Sequence, residues 1–401
     1  MTKTGLKFGV MLAALGLLAT PALAFQDEGT VRIGSLEAQT GVPAPYGIQA
    51  LNGSKIAIDE INAAGGVTVD GKQVKLQLTP QPNGYDPGAD SALTIALIKK
   101  LVFDDEVLMI KGTSRSQNTE VAFGYLNELD KDGHPIVLLS SLAGAPGLGA
   151  ISEWAFRNSF SEAKIIDQEI GILADKFGYK TAGLYVVKDN TYPAVMAKYV
   201  VKPTLEKHGV KVVAEVEGLD ADLDLSSQVN ALKAADPDIV VVASAVNSGV
   251  NIMKEAARRG LKPKIWVGMI GNISPEVPKI GGKAVERMIM GSSYSPNLPS
   301  VQRLRDEYRK QFGNDINMFG VDGYEAVYLF KKAIETAGIK NTRESLQEDR
   351  AKVRDALAKT EIDSVTGEHV KFDEHGDAIK KGFILTIEDG QYVEWDQKPF
   401  D

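Results

Sequence analysis

The chain is 401 residues long, carries a formal net charge of −8 and contains no cysteine. An acidic chain without a basic run makes a poor partner for nucleic acid or an anionic membrane, and the missing cysteines exclude disulfides and thiol chemistry. With 44% apolar residues and regular glycine and proline punctuation, the composition is that of a folded chain.

Residues 1–24 read as a secretory signal peptide. Lys3 and Lys7 give a positive start, Val10 to Leu18 an apolar core, and Ala22-Leu23-Ala24 a small-residue cleavage site. That core falls well short of the ~20 residues of a spanning helix, and no later stretch is long and apolar enough, so no membrane insertion is expected after cleavage. Losing two lysines and no acid takes the net charge from −8 to −10. No cysteine follows the signal to carry a lipid, so the expected location is the periplasm. The remaining length exceeds what one core usually holds, which predicts two domains.

Strand-like and helix-like segments then alternate. Strand 31–36 leads to helix 47–64, stopped by Gly65-Gly66; strand 74–79 follows, then a helix opening at Pro87, strand 107–110, helix 117–129 and strand 136–139. A second series starts with helix 163–177. Strands 181–187, 211–216, 239–243, 264–267 and 288–291 follow, with helices 192–208, 225–235 and 246–259 between them. Residues 239–242 are apolar on both faces, as a parallel strand between helix layers must be. Helices 301–312, 318–337 and 342–359 come next, and a hairpin, 383–387 with 392–395, closes the chain. The pattern predicts an α/β protein of two doubly wound lobes with a cleft between them.

The ordered run Ile33-Gly34, Gly41, Tyr46-Gly47, Gly53, Ala57, Asp59, Ile61-Asn62 and Gly65-Gly66 continues through Asp86-Pro87, Gly112, Ser116, Thr119 and Ala145-Pro146. With Asp189, Tyr192, Asp224, Ala256-Ala257-Arg258-Arg259-Gly260-Leu261, Val365-Thr366-Gly367, Phe372-Asp373 and Gly376-Asp377, it resembles the leucine/isoleucine/valine-binding protein family, the type I periplasmic binding proteins of ABC importers. The resemblance spans Val31 to about Trp395. It implies two Rossmann-like lobes joined by crossovers near 156–160, 285–291 and 362–368. Lobe 1 would hold 30–157 plus 290–363, and lobe 2 would hold 158–289 plus 364–401. It also implies a monomer that closes by hinge motion on one small molecule and docks on the membrane subunits of an ABC permease. No cofactor, metal or catalysis is implied.

The resemblance also assigns ligand contacts. Ser116 matches a serine that grips a ligand carboxylate at a helix start, where free N–H groups attract an anion; acting only as the N-cap is the alternative. Leu142 and Gly144 match positions that use backbone groups, Gly144 having lost a threonine hydroxyl. Tyr46, Tyr192 and Tyr324 fall on aromatic wall positions. In the second lobe Ala245 replaces a tyrosine, and Ile270 stands where amino-acid binders carry the acid that neutralises the ligand's ammonium. An ammonium buried without a counter-charge is strongly disfavoured. The expected ligand is therefore a small organic acid without an α-amine, such as an aromatic carboxylate; a branched-chain or other amino acid is the alternative. Arg115 and Tyr85 stand where many relatives have a cystine, and stacking of the two is preferred over Arg115 forking onto a carboxylate.

Three other signals lead elsewhere. The run from Asp220 to Asp224 lacks the glycine and distal glutamate of a calcium loop, and Asp224 is expected to cap the following helix. His369 and His375, beside Asp373 and Asp377, read as a polar turn rather than a metal site. No nucleophile–base–acid spacing emerges, which weighs against an exported α/β enzyme; a sensory receptor of the same fold is the nearer rival to transport.

Overall fold

The computed structural model describes residues 29–400, and the expected signal peptide lies outside them. The first lobe is built from β1 (Thr30–Leu36), α1 (Ala44–Ala63), β2 (Val67–Val69), β3 (Lys72–Thr79), α2 (Ser91–Lys99), β4 (Met109–Gly112), α3 (Ser116–Lys131), β5 (Leu138–Ser140) and β6 (Ala155–Arg157). Its sheet runs β2-β3-β1-β4-β5-β6, parallel except for the β2–β3 pair. Every residue of β4, β5 and β6 is buried, as expected of strands covered on both faces. α2 opens at Ser91 rather than at Pro87. Asp86 holds the N–H groups of Gln39 and Gly88, so Pro87 sits in a turn, and Asp90 caps the helix through Leu93 N–H at 2.9 Å.

The second lobe follows with α4 (Glu162–Gly171), β7 (Thr181–Val187), α5 (Thr191–Met196), α6 (Lys202–Lys207), β8 (Lys211–Gly218), α7 (Ser226–Ala235), β9 (Ile239–Ala243), α8 (Val246–Arg259), β10 (Ile265–Val267), α9 (Glu276–Gly281) and β11 (Met288–Ser292). The chain then returns to the first lobe as α10 (Gln302–Phe312), α11 (Met318–Ala337) and α12 (Leu346–Leu357). α1 and α11 pack so closely that a Cβ on Gly53 would lie 1.9 Å from the Gly320 carbonyl oxygen. Glycine is required there for contact, not for a turn. A small antiparallel sheet, β12 (Glu361–Asp363), β13 (His369–Phe372) and β14 (Ala378–Ile379), precedes the hairpin β15 (Phe383–Glu388) and β16 (Gln391–Glu394). The hairpin extends the second sheet, whose order is β16-β15-β11-β10-β9-β7-β8.

β11 pairs with β10 on one side and β15 on the other, so all of it, through Ser292, belongs to the second sheet. The crossover expected at 285–291 therefore begins after Ser292, and the expected division after residue 289 falls inside the strand. Residues from the first two connections and from the segment between β14 and β15 meet at α11. Lys380 Nζ donates to Asp322 Oδ1 at 2.7 Å and forms an ion pair with Glu325 Oε1 at 2.6 Å. Ser293 Oγ donates to both Asp322 carboxylate oxygens, at 3.0 and 3.1 Å, and Asn158 Nδ2 to the Asp322 carbonyl at 3.0 Å. All of these polar groups are buried. No helix among the described residues is long and apolar enough to cross a membrane.

Candidate functional site

The carboxyl ends of β1, β4 and β5 face those of β7, β9 and β10 across a cavity with about 480 Å³ of empty space, at the place where open α/β sheets bind ligands. The first lobe lines it with Val42, Tyr46, Ser114, Arg115, Ser116, Leu142, Gly144 and Phe319. The second contributes Asn190, Tyr192, Ser244, Ala245, Ile270 and Gly271. All the contacts assigned from the sequence are here except Tyr324.

Tyr324 belongs to another network. Its hydroxyl donates to Glu60 Oε2 at 2.6 Å and accepts from Arg303 Nη2 at 3.2 Å, tying α1, α10 and α11 together inside the first lobe. The helix geometry explains this. α11 points its first turn at the cavity, and Tyr324, five residues past Phe319, is rotated by about 140° from it. Phe319 supplies the aromatic wall instead, meeting Tyr46 edge-on at 5.1 Å.

Ser116 is the first residue of α3 and not its cap; Arg115 holds the cap position with extended backbone, and no side chain caps the helix. The first N–H groups of α3, which have no intrahelical acceptor, therefore begin at the cavity wall beside an arginine. Ser116 Oγ accepts from Ala145 N–H at 3.2 Å and so joins the two first-lobe loops. The Leu142 to Ala145 loop is held from behind: Arg157 donates to the Ala143 and Ala145 carbonyls at 3.1 and 2.6 Å and pairs with Asp377 through two 2.5 Å contacts. The stacking expected of Arg115 on Tyr85 is not formed. Lys100 lies over the Tyr85 ring, 5.8 Å from its centre, and the Arg115 charge acts on the Tyr46 hydroxyl. The ring is satisfied by a neighbouring surface ammonium, which leaves Arg115 to the cleft.

Tyr46 bridges the lobes. Its hydroxyl donates to the Gly271 carbonyl at 2.6 Å and accepts from Val246 N–H at 3.2 Å, at the start of α8. Burial pushes this hydroxyl far above the ordinary tyrosine value, so it stays a donor. Gly144 and Ile270 meet across the cleft. A Cβ on residue 144 would lie 2.5 Å from Ile270 Cδ1 and 2.9 Å from Tyr192 Cε2. Gly144 and Ile270 thus form one close apolar contact between the lobes.

Glu162, Ser114 and Asn272 escaped the sequence reading. Glu162 opens α4 behind the second-lobe wall, fully buried, with Oε1 accepting from Ile270 N–H at 2.8 Å and Oε2 from the Tyr192 hydroxyl at 2.6 Å. Burial pushes its carboxyl up to about 7, against the pull of those two donors. An acid in a first helical turn ordinarily faces solvent to complement the helix dipole, so nothing local marked it. Ser114 accepts from Ala38 N–H at 2.8 Å and donates to Glu37 at 2.7 Å, and Glu37 is paired with the buried Lys111 at 2.5 Å. Asn272 braces the Ile270–Gly271 turn by donating to Ser244 Oγ at 2.9 Å and accepting from Met269 N–H at 3.0 Å. Asp224 accepts from Ser226 N–H at 2.9 Å at the start of α7.

Comparison with known proteins agrees with this architecture. The periplasmic binding protein family matches residues 30–391, and the chain belongs to that family. The leucine-, isoleucine-, valine-, threonine- and alanine-binding protein of Pseudomonas aeruginosa is 28% identical over 364 residues, 89% of either chain. Two solved structures share the fold. The isoleucine-bound substrate-binding protein of a branched-chain amino acid transporter from Streptococcus pneumoniae is 24% identical, with a TM-score of 0.76 over 90% of this chain and 97% of its own. The solute-binding protein of an ABC transporter from Rhodopseudomonas palustris BisB5, in complex with 3,4-dihydroxybenzoic acid, is also 24% identical, with a TM-score of 0.75 over 92% and 96%.

Proposed function

We propose that the protein is the periplasmic solute receptor of an ABC importer, binding a small carboxylate without an α-amine, an aromatic acid foremost, and catalysing nothing. The observation that carries this reading is the asymmetry of the cleft. One wall offers Arg115, the Ser116 hydroxyl and the uncapped start of α3; the other offers the Ile270 side chain where a counter-charge for an ammonium would stand. A carboxylate is attracted by the first wall, and an apolar or aromatic body suits Phe319, Leu142, Tyr192 and Ile270. The benzoate-type ligand of the Rhodopseudomonas relative fits the same description. Ligand bridging both lobes would stabilise the closed form, and that form would engage the permease.

An amino acid is the second reading, and Glu162 is what favours it. A shift of Tyr192 would open this carboxylate to a ligand ammonium, and the Pseudomonas relative is named for amino acids. A thermal-shift screen separates the two. A ligand at 100 times its Kd stabilises by about 2.7 kcal/mol. Benzoate or 3,4-dihydroxybenzoate should raise the melting temperature while leucine, isoleucine and valine leave it unchanged. A response to the amino acids alone overturns the carboxylate reading.

A further inference from the structure

Asn190 holds the N-cap position of α5 with extended backbone, where an asparagine ordinarily gives its side-chain oxygen to a helical N–H two or three residues on. Here it caps nothing. Its Nδ2 donates instead to Asp220 Oδ2 at 3.4 Å, and Asp220 is held in turn by the Ser248 hydroxyl at 2.9 Å. An ionised carboxylate only accepts, so this contact assigns the amide nitrogen to the Asp220 side and leaves Oδ1 on the other. No described residue donates to that oxygen. Asn190 is only 8% exposed, and the space it borders is the cleft. Unlike the Tyr185 and Tyr294 hydroxyls, which are sealed in without a partner, Asn190 Oδ1 keeps accessible surface.

The other polar side chains of the second-lobe wall are engaged. The Tyr192 hydroxyl donates to Glu162, and Ser244 Oγ donates to the Ala245 carbonyl at 3.2 Å while accepting from Asn272 at 2.9 Å. One nearly buried acceptor therefore stands on the lobe opposite Arg115 and Ser116, and what it lacks is a donor. We propose, on the carboxylate reading above, that Asn190 makes the cleft selective for an aromatic acid bearing a ring hydroxyl, which donates to Asn190 Oδ1.

The charges around the cleft set the direction of such a ligand. Beyond the dominant effect of burial, the Tyr46 hydroxyl feels Asp220 from the second lobe and Arg115 from the first, with opposite sign. A ligand laid with its carboxylate toward Arg115 and its hydroxyl toward Asn190 follows that field; reversed, it would set its carboxylate against Asp220. The ring then lies among Phe319, Leu142 and Ile270, and the molecule bridges the two lobes at both ends.

Isothermal titration calorimetry of the purified protein with benzoate, 3- and 4-hydroxybenzoate and the matching methylbenzoates tests this. One hydroxybenzoate should bind about fivefold or more tightly than benzoate, the usual worth of a net hydrogen bond, and the methyl group at the same position should not reproduce the gain. In Asn190→Leu the ratio of the two dissociation constants should fall to about one; a ratio measured within one variant cancels any general loss of affinity. Asn190→Ser, whose serine is a favoured helix cap, should lose the preference too and keeps the test valid if Asn190→Leu disturbs folding. Equal binding of benzoate and both hydroxybenzoates by the unaltered protein, a methylbenzoate as tight as its hydroxyl counterpart, or a preference that survives in both variants overturns this proposal and leaves the carboxylate reading standing. If none of the benzoates binds, the carboxylate reading itself has failed, and this proposal with it.

Discussion

Two buried carboxylate clusters, one at the hinge and one behind the cleft, are stabilised in opposite ways. At the hinge, Asp322 and Glu325 share the Lys380 ammonium, and hydroxyl and amide groups from the first two crossovers complete the cluster. Behind the cleft, Glu162 has a phenol and one backbone N–H but no cation, and Glu169, two turns along α4, has no hydrogen-bond partner at all. Burial raises both carboxyls, Asp322 to about 6 even beside Lys380 and Glu162 to about 7. The hinge cluster trades desolvation for a fixed meeting point of three chain segments. The cleft cluster leaves a proton in play beside the ligand wall.

The sharpest way to break the comparison is to remove the cation. Lys380→Met strands two buried carboxylates and should cost about 3–5 kcal/mol in urea unfolding; a loss below 1 kcal/mol would mean that solvent reaches the hinge. Next comes pH. Between about 4.5 and 7 the folded protein keeps a proton on Glu162 that the unfolded chain has released, so stability must fall as pH rises through that window. The full effect is on the order of 3 kcal/mol. Glu162→Gln, which can still meet Tyr192 and Ile270, should remove Glu162's share of that slope, leaving the part due to Asp322, and be the more stable protein at pH 8.

Smaller effects separate the cleft from the core. Tyr46→Phe removes both cross-lobe hydrogen bonds and should weaken ligand binding by about 1 kcal/mol, roughly fivefold, with the unfolding midpoint little changed. Tyr324→Phe should do the reverse, lowering stability by about 0.5–1.5 kcal/mol while affinity stays as it was. If Tyr324→Phe weakens binding and Tyr46→Phe does not, the two tyrosines have been assigned to the wrong places.

The alternation of apolar strands and amphipathic helices made the two lobes legible, because parallel strands under helix layers must be apolar on both faces. The first-lobe lining of the cavity was legible too through the family resemblance, since strand-end loops and a helix start are local features: Ser116, Leu142 and Gly144 follow β4 and β5 directly. Phe319 was within reach, as the aromatic residue in the first turn of a helix entering the cleft, but a match to an aromatic position deeper in α11 drew attention to Tyr324. β11 was misassigned at its end because nothing local tells a last sheet residue from a first crossover residue.

What the sequence determined alone is the α/β lobe pair, with the strand-end loops and helix start that line the first wall, both of which rest on contacts within a few residues. Only the tertiary structure decided that Lys380 is buried while Lys381 is 81% exposed, that Glu162 stands behind Ile270, and that Arg115 turns toward the cleft instead of Tyr85. Each of these depends on which segment, far away in the chain, supplies or withholds a partner. Charge burial is settled by that partner and not by the residue's own neighbours.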